Sequence, residues 1–383
     1  MRILFVSLYF PPATYYGGPL ASGWALCRSW SEAGHDVGVV TTNANGPEIL
    51  KARVGWREIG KAIHVRYCRR LAGEHFAPGM VLAALWQTVR RDTIYVWGFF
   101  VWILPFIVAA CTILRKHLII SPRGMLATSA LSKGSQMKSA FIRLLRALNV
   151  ERVAVFHATS EPEAADIRRI FSRSRVFVVP NGVWCPSDID VQSARRNRKI
   201  GEDYVLFLGR LDPYKQIEKI IEAFSKVVRG NHDGDQPGKL RLCVAGVGDE
   251  SYLSILRRTA EEMKLAGEID FLGHIEGKDK VAVLANASVL VLASKTENFG
   301  MSVAEALAWG VPVVASWGTP WQELDNRGCG RWVEDSADNL ADAIRSIIAL
   351  SAAERGQMGL RGRAWMADEY RWDCLARKTI NLR

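Results

Sequence analysis

The sequence lacks the features of a secreted or metal-binding protein. Its seven cysteines are scattered, without a Cys-x-x-Cys pair or a histidine at ligand spacing, so it predicts neither a disulfide framework nor a zinc site. A reducing cytosol is the expected compartment. The first residues read as a strand and lack the basic, apolar and cleavage regions of a signal peptide, so we expect a protein that is not secreted. Low-complexity tracts and short-period repeats are also missing.

Acidic residues are scarce in the first half of the chain. Residues 1–200 contain 27 Lys and Arg against 12 Asp and Glu, whereas residues 201–383 contain 23 against 27. A basic half predicts an anionic partner such as nucleic acid, lipid phosphate or a membrane surface. Because no zinc-finger, helix-turn-helix or basic-aromatic RNA-binding motif is present, we expect an anionic membrane surface or a phospholipid-like acceptor, and no nucleic acid.

The length and the order of apolar segments predict two α/β domains. A chain of 383 residues exceeds the usual size of a single core. Residues 2–7 and 204–208 each read as a strand followed by a glycine-containing loop and a helix, as in a parallel sheet. We predict domains at 1–185 and 204–365, an Arg-rich linker at 186–203, and a final helix at 366–383.

The first half of the chain contains one long apolar run. Residues 93–114 contain 22 positions without a charge, which is enough to span a bilayer. Because Gly98 and Pro105 interrupt the run, we favour a buried strand followed by a helix, and a spanning helix or a helix in the membrane interface remain alternatives. Residues 133–152, from Lys133 to Arg152, form a basic amphipathic pattern that fits a helix packed on the core or docked on anionic lipid.

Two carboxylates give the strongest functional pattern. Glu297 and Glu305 are separated by seven residues that include a Phe-Gly step and the start of an apolar helix. A helix N-terminus offers free N–H groups to phosphate, and carboxylates beside it can bind sugar or ribose hydroxyls. The pattern favours a nucleotide-sugar pocket, although glutamates also occur at ordinary helix starts.

Cations and glycines follow several predicted strands. Arg210 and Lys215 lie five residues apart after Gly209, and together could bind a diphosphate. Arg123 follows the apolar stretch 117–121, at a position where α/β folds place ligand contacts. His157 and His274 are expected to have structural roles.

The segments in their order resemble the retaining glycosyltransferases of family 4, over nearly the whole chain. The segments that carry the resemblance are Phe10-Pro-Pro with Gly17-Gly18, Gly34-His-Asp-Val, Pro180-Asn-Gly-Val, Gly209-Arg with Lys215, Ala245-Gly-Val-Gly, Phe271-Leu-Gly, Glu297-x7-Glu305 and Gly310-Val-Pro-Val-Val. The resemblance implies the GT-B fold, an α/β architecture of two Rossmann-like, doubly wound parallel-sheet domains facing a cleft, with a C-terminal helix crossing back to the first domain. It also implies that the second domain binds the donor nucleotide and the first binds the acceptor.

The resemblance assigns expected roles to individual residues. Arg210 and Lys215 would neutralise the donor diphosphate without a metal or cofactor, Glu305 would bind the ribose, and Glu297 would hold the donor sugar. Further donor contacts are expected from Phe299, Gly300, Met301, Gly209, Gly246, Gly273, Gly17 and Gly18. Arg123 stands where many relatives have a histidine. Because arginine cannot act as a base at neutral pH, we expect it to bind phosphate or stabilise charge.

The stretch Ser121-Pro-Arg-Gly-Met-Leu resembles the branch that assembles bacterial surface polysaccharides, such as O-antigen, exopolysaccharide and capsule. The expected reaction is transfer, with retention, of a sugar from a UDP- or GDP-linked donor to a polyprenyl-diphosphate-linked or other lipid-linked saccharide. The protein would be peripheral on the cytoplasmic face of the inner membrane. Alternatives are a soluble acceptor, a nucleotide-sugar epimerase and a non-catalytic nucleotide-sugar-binding scaffold. A dinucleotide oxidoreductase is disfavoured because no Gly-x-Gly-x-x-Gly follows a strand.

Overall fold

The computed structural model describes residues 1–15, 17–50, 54–59, 63–73, 76–132, 134–197, 200, 203–230 and 240–381, without the side chains of Ser129 and Ser135. The chain divides into two compact units, Met1–Gly182 with Trp372–Arg383, and Val183–Arg371. Each unit contains a parallel sheet flanked by helices, so the predicted fold class is confirmed.

The first unit is built on an eight-stranded sheet in the order β10-β9-β8-β7-β1-β2-β6-β5. All neighbours in this sheet are parallel except β5 and β6, and β3 and β4 form a separate antiparallel pair. Apolar runs such as Ile3–Val6 are fully buried, as expected for a sheet covered on both faces. The strands are β1 (Arg2–Ser7), β2 (Asp36–Thr42), β3 (Ala44–Asn45), β4 (Glu48–Ile49), β5 (Gly55–Ile59), β6 (Ile63–Cys68), β7 (Thr93–Trp97), β8 (His117–Ser121), β9 (Ala154–Ala158) and β10 (Arg175–Val178).

The helices that precede residue 182 lie on two faces of this sheet. One core contains side chains of the second, third, fifth and seventh helices, whereas a separate core contains those of the first. These helices are α1 (Gly18–Glu32), α2 (Gly79–Arg90), α3 (Leu104–Leu114), α4 (Thr128–Ser132), α5 (Ser135–Ala147), α6 (Val150–Val153) and α7 (Glu161–Ile170).

The second unit contains a six-stranded parallel sheet in the order β13-β12-β11-β14-β15-β16. Its strands are β11 (Tyr204–Leu208), β12 (Arg241–Ala245), β13 (Ile269–Gly273), β14 (Val289–Leu292), β15 (Val313–Ser316) and β16 (Gly330–Val333). Its helices are α8 (Asp188–Arg196), α9 (Ile217–Arg229), α10 (Glu250–Glu262), α11 (Gly277–Ala285), α12 (Met301–Ala308), α13 (Ala337–Ile348) and α14 (Ala352–Glu369), with 3-10 turns at Pro213–Lys215 and Gln322–Leu324.

The last helix, α15 (Trp372–Ile380), belongs to the first unit and packs on α1. The indole Nε1 of Trp30 donates to the Ala376 carbonyl at 2.9 Å and to Thr379 Oγ1 at 3.2 Å. A Cβ at Gly182 would lie 2.5 Å from the ring of Trp372, so the chain segments meet closely here. The return of the chain to the first unit begins at Trp372, six residues after the expected start of the final helix.

The expected linker is partly helical. Helix α8 begins at a capping box in which Ser187 and Asp190 bond each other's backbone N–H groups. Val191 and Ala194 are buried, and Asn286 of α11 donates to the Ala194 carbonyl at 3.0 Å. The segment is therefore packed into the second unit. Within this linker, residues 198–199 and 201–202 lie outside the described residues, as does Lys133 of the predicted basic helix.

The apolar run 93–114 forms strand β7 and helix α3, as favoured from the sequence. Gly98 has φ +105, a conformation that breaks the strand, and Pro105 lies in the first turn of α3. Among the described residues, no helix combines the length and apolar character needed to cross a membrane.

Candidate active site

Strand-end loops of the second unit bring three predicted glycines together. After β11, Gly209 N–H donates to the Ala245 carbonyl at 3.0 Å, and after β12, Gly246 N–H donates to the Gly273 carbonyl at 2.8 Å. A Cβ at Gly246 would lie 1.7 Å from the Gly209 oxygen, so no other residue fits without moving the loops. Because the carboxyl ends of parallel strands share one edge, this edge is where an α/β sheet binds ligands.

Lys215 and Glu297 form an ion pair at this edge. The Lys215 ammonium contacts Glu297 Oε2, and both side chains are mostly buried, with 21% and 16% of their surfaces exposed. Ser294 Oγ donates to the same carboxylate oxygen at 3.4 Å, and the Glu297 N–H donates to the Gly318 carbonyl at 2.8 Å. The pair therefore has a fixed position between the β11 loop and the loop before α12.

Helix α12 begins at this loop without a capping side chain. Its N-cap is Gly300, at φ +82, which has no side chain to bond the first N–H groups. Phe299 is buried against Trp321 at 5.2 Å between ring centroids, and the Trp321 indole N–H donates to the Phe299 carbonyl. This packing holds the backbone of Phe299, Gly300 and Met301 beside the Glu297 carboxylate, with the positive end of a helix dipole at the same place.

Glu305 lies directly after the first turn of α12. It is the fifth residue of the helix, and its carboxylate accepts a hydrogen bond from Lys280 Nζ of α11 at 2.7 Å. Its side chain is 23% exposed. Lys280 was not identified from the sequence, because nothing in its local pattern indicates a partner 25 residues away.

Arg210 has a different partner from the Lys215–Glu297 pair. Its side chain is 74% exposed and forms an ion pair with Asp212 at 3.1 Å, and no ion pair or side-chain hydrogen bond among the described residues joins Arg210 to Lys215. Asp212 also caps the 3-10 turn that ends at Lys215, accepting from the Tyr214 N–H at 3.1 Å. The two predicted diphosphate ligands thus lie on one loop but have different partners.

In the first unit, Gly17 and Gly18 form the start of α1. Gly17 is the N-cap, at φ +58, and no side chain caps the helix; the adjoining Tyr16 lies outside the described residues. No acidic residue is present in the first turn. The donor contacts expected of these two glycines stay a prediction.

Arg123 follows β8 in a left-handed conformation, at φ +59. Its guanidinium stacks over the Trp97 ring at 3.9 Å and donates from Nη2 to Asn181 Oδ1 at 2.7 Å. Burial lowers the pKa of the guanidinium, and the nearby Glu163 charge acts in the opposite direction. Trp97, Asn181 and Glu163 were not predicted as site residues.

His157 is a buried structural residue, in agreement with the prediction for it. Its Nε2–H donates to the Val179 carbonyl at 2.7 Å, and Nδ1 accepts from the Tyr95 hydroxyl. Burial lowers the pKa of His157 to about 3. His274 lies in the second unit, where it is exposed and is 3.4 Å from Glu276. Among the described residues, no group of three or more His, Cys, Asp or Glu is arranged to hold a metal ion.

Two family models match the chain, one in each unit. The model described as "Glycosyl transferase 4-like domain" matches residues 17–182, and the model described as "Glycosyl transferases group 1" matches residues 188–365. The chain belongs to the GT-B glycosyltransferases of family 4.

One curated relative of this chain is similar over about half of the sequence. A GDP-mannose-dependent alpha-(1-6)-phosphatidylinositol monomannoside mannosyltransferase of Mycobacterium tuberculosis is 31% identical over 195 residues, which are 48% of this chain and 48% of the relative. The chain therefore spans about half the length of the curated relatives it matches.

Solved glycosyltransferase structures resemble the whole chain in fold. Anabaena Alr3699/HepE, in complex with UDP and glucose, has a TM-score of 0.73 and 18% identity, over 99% of this chain and 98% of that one. WaaG, described as a glycosyltransferase involved in lipopolysaccharide biosynthesis, has a TM-score of 0.70 and 15% identity, over 99% of both chains. At these identities the similarity establishes the fold.

Proposed function

We propose that this glycosyltransferase moves a sugar from a nucleoside-diphosphate sugar to a lipid-linked saccharide. The observation that carries the proposal is the edge of the second sheet, where Lys215, Glu297 and the uncapped N-terminus of α12 adjoin. A cation, a carboxylate and free backbone N–H groups provide the chemistry for a diphosphate and a sugar on one ligand.

Each residue has a proposed role. Lys215 stabilises the charge of the leaving diphosphate, and Arg210 joins it by exchanging its exposed contact with Asp212 for the ligand. Glu297 and the Phe299–Met301 backbone bind the donor sugar, and Glu305 binds the ribose. The Lys280 contact orients the Glu305 carboxylate in the absence of the donor.

The proposed reaction is metal-independent and retains the anomeric configuration. Two cationic side chains supply the stabilisation that a divalent ion provides elsewhere. Arginine at position 123 cannot remove a proton at neutral pH. The proposal therefore assigns the acceptor proton to the leaving phosphate, through same-face attack and an oxocarbenium-like state.

One surface of the first unit supports a lipid-linked acceptor. The same surface supports peripheral attachment to the cytoplasmic face of the membrane. Helices α2, α3 and α5 pack on the same core and contain no acidic residue. Each exposes large apolar side chains, which are Leu82, Trp86, Val89, Phe106, Ile113, Leu114, Met137 and Leu144. Exposed apolar groups beside Arg90, Arg143 and Arg146 suit an anionic lipid surface. We call these three helices the basic-apolar face.

One relative and one structural neighbour also support a lipid-linked acceptor. The mycobacterial enzyme is named a phosphatidylinositol monomannoside mannosyltransferase, and WaaG is described as involved in lipopolysaccharide biosynthesis. By analogy, the pathway we propose is assembly of a bacterial surface polysaccharide such as O-antigen, exopolysaccharide or capsule.

Thermal unfolding with a panel of nucleoside diphosphates and their sugars tests the donor site. A ligand that binds the folded state at one hundred times its Kd stabilises it by about 2.7 kcal/mol. A selective increase in melting temperature with one UDP- or GDP-linked sugar is expected. A shift with a dinucleotide and with no nucleotide sugar would contradict the proposal.

Measurement of turnover tests the roles proposed for Arg210 and Lys215. The Arg210→Ala, Lys215→Ala double variant should lose orders of magnitude in turnover, while Arg229→Ala, on the far end of α9, serves as the matched control. Near-normal turnover in the double variant would refute the diphosphate assignment. Treatment with a chelator should leave activity intact, and complete loss restored by a divalent ion would contradict the metal-free mechanism.

Vesicle flotation tests the basic-apolar face. The Trp86→Glu, Ile113→Glu double variant should lose binding to vesicles containing anionic phospholipid, because it places charges where apolar side chains would insert. Ile189→Glu replaces a 78% exposed side chain of the second unit and is the control. Equal binding by the wild type and the double variant would remove this face from the proposal.

A further inference from the structure

The pair formed by Arg123 and Trp97 has unusual hydrogen bonding. Trp97 ends β7, and Arg123 follows the adjacent β8, so both lie at the carboxyl edge of the first sheet. The guanidinium carbon is 3.9 Å from the indole centroid. A left-handed conformation is unfavourable for a residue with a side chain, so the surrounding structure must fix Arg123 in this place.

Two donors of this pair lack a partner among the described residues. Arg123 Nη1 and Trp97 Nε1 are both buried and make no hydrogen bond, although Arg123 Nη2 bonds Asn181. Trp97 is only 3% exposed, whereas Arg123 retains partial exposure. Buried polar groups nearly always have partners, so two unpaired donors on stacked side chains indicate an acceptor from outside the chain.

The charge of Arg123 also lacks a direct partner. Glu163 is the nearby carboxylate, but its Oε1 accepts from the Gly124 N–H at 2.6 Å and its Oε2 from the Thr159 N–H and hydroxyl at 2.7 and 2.8 Å. No described carboxylate forms an ion pair with Arg123. A largely buried guanidinium without a direct counter-ion favours an anionic ligand.

We propose that Arg123 and Trp97 form a subsite for an oxyanion, a phosphate or carboxylate, carried by the acceptor. The planar guanidinium provides paired donors for such a group, and the indole provides a further N–H and a stacking surface. The subsite rests on the proposed function and narrows it, because it selects an acceptor that carries a negative charge. The phosphate that binds this subsite could also be that of the donor diphosphate, and the experiment separates these two sources.

The test measures thermal stabilisation of the full chain by inorganic phosphate, at constant ionic strength set with chloride. Phosphate should raise the melting temperature of the wild type and of the Arg210→Ala, Lys215→Ala variant, in which the proposed donor diphosphate site is removed. Arg123→Lys should weaken phosphate binding at least tenfold, which corresponds to about 1.4 kcal/mol. Arg123→Gln should abolish it, and Arg175→Gln, at an exposed position of β10, should not change it.

Nucleoside diphosphate binding distinguishes the source of the anion. If Arg123→Lys leaves the affinity for UDP or GDP unchanged while losing phosphate binding, the subsite belongs to the acceptor. Loss of nucleoside diphosphate affinity as large as in the Arg210→Ala, Lys215→Ala variant would overturn the acceptor assignment. Undiminished phosphate stabilisation in both Arg123 variants, or none in the wild type, would overturn the subsite itself. Failure of nucleoside diphosphates to bind the wild type would instead count against the proposed function.

Discussion

Replacement of Gly246 by alanine should damage the donor site through the backbone. A Cβ at Gly246 would lie 1.7 Å from the Gly209 oxygen, whereas real Cβ contacts essentially never fall below 3.0 Å, so the two loops must separate by more than 1 Å. The backbone at φ +148 is also nearly exclusive to glycine. Overpacking together with a weakened Gly209–Ala245 hydrogen bond should lower the free energy of unfolding by about 3 kcal/mol.

Gly273→Ala is the matched control, because it alters a predicted donor-site glycine at a neighbouring strand end. Gly273 has φ +65, but a Cβ there would meet no atom within 4 Å. The expected cost is the left-handed conformation alone, about 1 to 2 kcal/mol. Urea denaturation of both variants measures the difference, and nucleoside diphosphate affinity should fall further in Gly246→Ala. An equal or smaller loss of stability in Gly246→Ala would refute the close-approach argument.

Three other substitutions test separate parts of the structure. Glu305→Ala should weaken nucleoside diphosphate binding about tenfold or more by calorimetry, since a hydrogen bond to a charged group contributes about 1.5 to 3 kcal/mol, and undiminished affinity would remove it from the donor site. Trp30→Phe should cost about 1 to 3 kcal/mol in urea denaturation, because it removes the two buried hydrogen bonds from the indole N–H to the Ala376 carbonyl and to Thr379 Oγ1; no loss would show that α15 does not depend on these bonds. Stability should fall by up to about 1.4 kcal/mol per pH unit as pH decreases from about 6.5 towards about 3, because unfolded His157 takes up a proton that the folded state excludes. His157→Gln should reduce this slope, and an unchanged slope would show that another group causes it.

Local patterns were sufficient to predict much of the fold. The strands at 2–7, 117–121 and 204–208 depend on short-range features, and the structure contains all three. The break of the apolar run at Gly98 also follows from local geometry, because a positive φ ends the strand. The helix at Asp188–Arg196 was missed because the basic composition of the segment outweighed the capping box that begins it.

Sequence patterns could not predict the contacts between distant segments of the chain. The partnership of Lys215 with Glu297 joins residues 82 positions apart, and that of Lys280 with Glu305 depends on the packing of two helices. The spacing of the two glutamates indicated a ligand site, but it could not predict that each carboxylate is paired with a lysine. The position of Trp97 beneath Arg123 requires the register of β7 and β8, which neither strand encodes alone.

The two units place their charged groups differently, and this difference bears on mechanism. In the second unit the mostly buried cation Lys215 has a carboxylate partner, so binding of the proposed donor would exchange one ionic contact for another. In the first unit the partly exposed cation Arg123 has no carboxylate partner among the described residues, so an anion would bind there without displacing a carboxylate. A lysine that exchanges one ionic partner for another favours a ligand that is released after each turnover. A guanidinium without a carboxylate partner favours selection of the ligand by its charge. The proposed donor site can therefore reset after each turnover, and the proposed acceptor subsite selects its ligand by charge.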